Sequence, residues 1–166
     1  MKTSKGFTLI EILVVIAIVL IVSTLAVIAV NTARSKQRDA TRLSNLRQVQ
    51  SALEDYFNEN NIYPSGQDLP LGDVAQSICL DMDGFQANCV ASSSIFLQHV
   101  TGTYQSGLDG LVLCGEPTRN AFCYTQTNEG LGYNINFELE NALSLVGLTK
   151  GVNCALPSGM ISGQCE

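Results

Sequence analysis

The sequence predicts an α+β protein: one long N-terminal α-helix, membrane-spanning in its first half, packed through its second half on a small antiparallel β-sheet head. Three observations predict it. No Pro or Gly interrupts the chain from Phe7 to Tyr63. The first part of that stretch, Ile12 to Val30, is apolar except for Ser23 and Thr24. The C-terminal half instead holds short alternating segments separated by turn residues.

The apolar run comes first. Its 19 positions make a helix of about 28 Å, close to the hydrocarbon thickness of a bilayer. The next stretch is amphipathic: Leu43, Leu46, Val49, Leu53, Tyr56 and Phe57 recur at spacings of three and four. "NENNIYPSG" then ends the helix in Asn-rich and Pro-Gly turn sequence. A helix from Phe7 to Asn58 would run roughly 78 Å, too long to lie inside one small domain.

Residues 66 to 110 are rich in Gly, Ser and Asp, with short helices expected near Asp73 to Ile78 and Ser93 to Val100. Three strand-like segments follow: "LVLC" from Leu111, "AFCYTQ" from Ala121 and "GYNINFELE" from Gly132. In the last, Tyr133, Ile135, Phe137 and Leu139 alternate with Asn134, Asn136 and Glu138, as in a half-buried strand. Turns are expected at Glu116-Pro117 and at Asn128-Glu129-Gly130. Three antiparallel strands need a cover for their apolar face, and the Leu43–Phe57 stripe supplies it. From Thr149 to Glu166 the sequence reads as a loop, and the chain shows no internal repeat.

Charge is segregated. Lys2 and Lys5 precede the apolar run, and Arg34, Lys36, Arg38, Arg42 and Arg47 follow it, with Asp39 alone opposing them. From Gln48 on, 13 acidic residues face only Arg119 and Lys150. Such an acidic head argues against nucleic acid as the main partner. The basic collar could meet anionic lipid, or an acidic head on a neighbouring protein.

Six cysteines, Cys79, Cys89, Cys114, Cys123, Cys154 and Cys165, all follow the apolar run. An even count in an exported domain reads as disulfides. Six allow 15 connectivities, among which nearest-neighbour closure is favoured here. A zinc or redox site is disfavoured, because no Cys-x-x-Cys occurs and His99 is the only His. Asp81 and Asp83 in "LDMDGFQ" are weak calcium candidates, since Asp-x-Asp-Gly is more often a turn and the other ligands of a calcium loop are missing. No nucleophile–base motif supports catalysis, and no cofactor is implied.

Glu11 stands at the entrance of the apolar run, where a carboxylate is costly without a partner. "KGFTLIEILVVIAIVLIV" resembles the class III leader and first helix of type IV pilins and type II secretion pseudopilins. More loosely, "YFNENNIYPSG" and "YNINFELE" resemble the helix end and the sheet of such heads. The resemblance implies a leader, residues 1–6, removed by a prepilin peptidase between Gly6 and Phe7, with N-methylation of Phe7. It implies a membrane or filament-core helix half, residues 7–30, and an exported head, residues 31–166. It assigns Glu11 a role in assembly, as counter-charge to the α-amino group of a neighbour's Phe7.

The implied partners are other copies of the chain, the prepilin peptidase and an inner-membrane assembly platform. The implied location is a single-pass membrane precursor, then a surface filament. The positive-inside rule would draw the collar and head inward; the cysteines and the resemblance both put the head outside. Ile28 stands where many such helices carry Pro, so unwinding there is not implied. The favoured reading is a structural subunit of a type IV pilus-like filament serving motility, adhesion or DNA uptake. The alternatives are a type II secretion pseudopilin and a membrane-anchored binding or enzymatic domain that never polymerises.

Overall fold

The computed structural model describes residues 6–89, 94–103 and 105–165. The chain divides into two compact units, residues 1–35 and 36–166, though one helix, α1 (Leu9–Asn60), runs through both.

In the first unit every described side chain from Gly6 to Arg34 is exposed. The helix here is long and apolar enough to cross a membrane, with none of its most apolar window buried within the chain. Its few hydroxyls are satisfied along the helix itself. Ser23 Oγ donates to the Val19 carbonyl at 2.7 Å, Thr24 Oγ1 to Ile21 at 2.8 Å and Thr32 Oγ1 to Ile28 at 3.1 Å. Such back-bonding removes the polar cost that free hydroxyls would carry in an apolar surrounding. The helix is continuous through Ile28.

In the second unit, α1 buries Leu46, Val49, Ala52, Leu53 and Tyr56 against a five-stranded antiparallel sheet. The order is β1-β7-β8-β9-β10, with β1 at Leu69–Pro70, β7 at Cys123–Thr127, β8 at Gly132–Leu139, β9 at Gly151–Leu156 and β10 at Gly159–Ser162. β8 is central. Tyr133, Ile135, Phe137 and Leu139 join the helix stripe in one apolar core, with Tyr124 of β7 and Ala155 of β9. The strand expected at 132–140 is there, and so is the turn before it, where Asn128, Glu129 and Gly130 all take positive φ.

A second sheet, β3-β2-β4, is built from β2 (Cys79–Asp81), β3 (Gly84–Gln86) and β4 (Ile95–Leu97). It joins the core through Leu80, Phe85 and Phe96; Phe96 meets Tyr56 edge-on at 5.4 Å and Phe85 meets Tyr124 at 5.1 Å. A small hairpin, β5 (Leu113–Cys114) with β6 (Arg119–Asn120), turns at the expected Glu116-Pro117.

Three expectations are corrected. Asp73 to Ile78 is a turn rather than a helix: Asp73 Oδ1 accepts from the Ala75 N–H at 2.9 Å, and the backbone N–H of Asp73 donates to Ser77 Oγ at 3.1 Å. Local side-chain bonds of this kind compete with helix. In the described part of 93–100, Ile95–Leu97 is a strand paired with β2; Ser93 lies outside the described residues. The tail from Thr149 is not a loop, because Gly151–Leu156 and Gly159–Ser162 pair through the two-residue turn Pro157-Ser158. Gly at 151, 159 and 163 hid this hairpin, whose β9 gains its stability from pairing with β8.

The outer face of β8 is also covered, where alternation suggested solvent. Glu138 is buried and accepts from the Asp109 N–H (2.7 Å), the Leu111 N–H (2.8 Å) and Asn120 Nδ2 (2.9 Å). Beside it Val112, Cys114, Ala121 and Cys123 form a second, smaller core. A carboxylate there tolerates burial because several donors converge on it.

Candidate processing and assembly site

Gly6, Phe7 and Thr8 lie outside the helix, which begins at Leu9. Phe7 is 79% exposed, and a Cβ on Gly6 would meet nothing within 4 Å. The helix start is made by Thr8 and Glu11. Thr8 Oγ1 accepts from the Glu11 N–H at 3.4 Å, and Glu11 Oε2 accepts from the Thr8 N–H at 3.5 Å. The Thr8 carbonyl takes the first helical bond, from the Ile12 N–H at 3.3 Å. This is a reciprocal capping box, Thr-x-x-Glu, with a carboxylate at the positive end of the helix. In the single chain, then, Glu11 already has a partner. The pattern is legible in the sequence, but Thr8 stood there only as part of a resemblance.

The basic collar behaves differently from the expectation. Arg42 and Asp39 are both fully buried in the second unit and pair at 2.6 Å. Arg42 Nη1 also donates to Glu140 Oε1 at 2.8 Å, and Nη2 to the Ser106 carbonyl at 2.8 Å. Arg38 meets the same Glu140 with two parallel bonds, Nε to Oε1 at 2.7 Å and Nη2 to Oε2 at 2.6 Å. Asp39 is filled by backbone donors: the Glu140 N–H at 3.0 Å and the Asn141 N–H at 2.9 Å, with Asn141 Nδ2 at 2.9 Å.

Two cations and two carboxylates thus cancel, and every charge has several hydrogen bonds, the condition under which buried ions are tolerated. The guanidinium of Arg38, with Arg42 beside it, holds the Glu140 carboxyl below its ordinary range. Gly107, at φ +84°, lies so close that a Cβ would overlap the Glu140 carboxylate. Arg38 and Arg42 are therefore internal staples between the helix and the end of β8. Arg34, Lys36 and Arg47 remain exposed as the outward part of the collar.

The six cysteines form Cys79–Cys89, Cys114–Cys123 and Cys154–Cys165. They tie β2 to the segment after β3, β5 to β7, and β9 to the tail beyond β10. Asp81 ends β2 and Asp83 lies in the tight turn to β3, where Asp81 Oδ1 accepts from the Asp83 N–H at 3.0 Å. Among the described residues no group of three or more His, Cys, Asp and Glu is placed to hold a metal ion. His99 is exposed.

The family described as the prokaryotic N-terminal methylation motif matches residues 1–27, the stretch containing Gly6, Phe7, Thr8 and Glu11. The chain is also 37% identical over 67 residues to the type IV wide pilus major component PilA4 of Thermus thermophilus, covering 40% of this chain and 51% of that protein.

Both matches support a type IV pilin-like family.

The chain spans about half the length of that relative. No solved structure matches. The pilin-like family is structural rather than enzymatic, and the α+β architecture, with one long apolar N-terminal helix and antiparallel sheets, agrees with it.

Proposed function

We propose that this pilin-like chain is the structural subunit of a type IV pilus-like filament. The observation that carries the reading is the apolar helix from Ile12 to Val30, wholly exposed in the single chain and entered through Glu11. Such a surface needs either lipid or other copies of itself to cover it. The methylation motif over residues 1–27 and the likeness to a pilus component favour both in succession.

The precursor would be held by its helix in the membrane, with the head on the outer face. A prepilin-type peptidase would cut between Gly6 and Phe7, leaving Phe7 as the N-methylated first residue. Subunits would then be drawn from the bilayer by an inner-membrane assembly platform, and their apolar helix halves would bundle as the filament core. In that core Glu11 would exchange the Thr8 N–H for the α-amino group of a neighbour's Phe7. Each ion alone would be costly away from water; paired, both are tolerated.

Intact mass and electron microscopy of material sheared from cells test this together. A chain beginning at Phe7 and carrying one methyl group, found in filaments, is expected. A chain that keeps residues 1–6, or stays wholly with membranes, overturns it.

A further inference from the structure

The capping box at the start of α1 bears on the cut as well as on assembly. Hydrolysis breaks the bond between the Gly6 carbonyl carbon and the Phe7 nitrogen; water supplies a hydroxyl to Gly6 and a proton to the new Phe7 amine. For attack, that carbonyl has to be free. Inside an α-helix it would instead accept from the N–H four residues on, that of Ile10, and lie in a closed turn. Phe7, Leu9 and Ile10 do not stop a helix from extending back, and Gly6 weakens such a turn by only about 1 kcal/mol.

What ends the helix is Thr8. Its hydroxyl takes the Glu11 N–H, which one more turn would have given to the Phe7 carbonyl, and its own N–H is drawn to the Glu11 carboxylate. Among the described residues no hydrogen bond engages the carbonyl of Gly6 or of Phe7.

We infer that Thr8 is a positioning residue for leader removal: by capping α1 at Leu9 it keeps the Gly6–Phe7 peptide out of the helix and open to the peptidase. This rests on the processing reading above. It gives the Thr of the motif a task separate from any contact with the enzyme.

The test uses the full-length chain in membranes, incubated with a prepilin-type peptidase, with the initial rate of leader release measured for four proteins. Thr8→Val keeps the side-chain shape and loses the cap; Thr8→Ser and Thr8→Asn change the shape and keep a cap. The Ser and Asn variants are expected within about twofold of wild type, and Val about fivefold slower, the population shift that loss of one Thr cap produces. Val cut at the wild-type rate overturns the inference. So does a slow Ser or Asn variant beside a fast Val, which would mean that the enzyme reads side-chain shape. A wild-type chain left uncut is a different result: it removes the processing reading, and this inference with it.

Discussion

Arg42 and Asp39 stand three residues apart on one helix, and their side chains pair at 2.6 Å with neither reaching solvent. A lone charge at either place would be untenable. Together with Arg38 and Glu140 they fasten the helix to the end of the central strand across some 100 residues of sequence.

Replacing Arg42 by Leu should therefore destabilise the head by about 3–5 kcal/mol, because Asp39 and Glu140 are left buried without their shared cation. Arg47→Ala, on the exposed face, should stay within about 0.5 kcal/mol. Urea unfolding of the two variants, followed by circular dichroism, compares them. Equal effects would mean that the buried pair contributes no more than a surface charge.

Acid should loosen the same staple. Glu140 has its folded-state pKa lowered, first by the hydrogen bonds from Arg38. A lowered acid contributes stability that is present above its unfolded value, near 4.3, and is lost as pH falls through the folded one. The head should lose stability progressively below about pH 4, and Glu140→Gln should be less stable at neutral pH with a flatter acid limb. Melting temperatures between pH 2 and 7 measure both; an unchanged acid limb in Glu140→Gln would assign the acid sensitivity elsewhere.

Alkali acts on the aromatic core in the opposite direction. Burial pushes the Tyr133 hydroxyl up to about 12, and Tyr124 and Tyr63 are raised by burial as well. Raised phenols keep their protons longer in the folded state, so stability is intact below pH 10 and declines above it. Absorbance titration should show these three tyrosines ionising only with unfolding. Reversible phenolate formation by all tyrosines near pH 10 in the folded head would contradict this.

Reduction should cost the head more than any surface substitution. Each of the three disulfides closes a short loop and is expected to contribute about 2–4 kcal/mol, mainly through the unfolded chain. Thiol counting on unfolded, unreduced protein should find none, and the reduced head should melt lower. Six reactive thiols would refute the proposed exported, oxidised location too.

Glu11→Gln probes assembly apart from cutting. Gln also serves a capping box, so the helix start and leader removal should persist. On the proposed pairing, the counter-charge for a neighbour's amine would disappear, at several kcal/mol per added subunit. Processed monomer in membranes and few filaments are expected, read by intact mass and by electron microscopy. Filaments at wild-type yield would end the pairing account while leaving the subunit reading intact.

Periodicity by itself determined the long helix, its apolar and amphipathic halves, and the central strand Gly132–Leu139, because each depends on local spacing alone. The Thr8–Glu11 cap was equally local, three residues apart. Only the tertiary structure decided the rest. Gly151–Leu156 has too much Gly around it to declare itself a strand, and becomes one by pairing with β8. Arg38 and Arg42 read as surface cations because the carboxylate they share, Glu140, lies about 100 positions away. Asp39 and Arg42 stand at pairing distance along the helix, but the burial of that pair was not legible, because the other donors to Asp39 are the backbone N–H groups of Glu140 and Asn141 and the Asn141 amide, about 100 positions away. Local propensity is written along the chain; the neutralisation of a buried charge depends on which distant segment folds back to meet it.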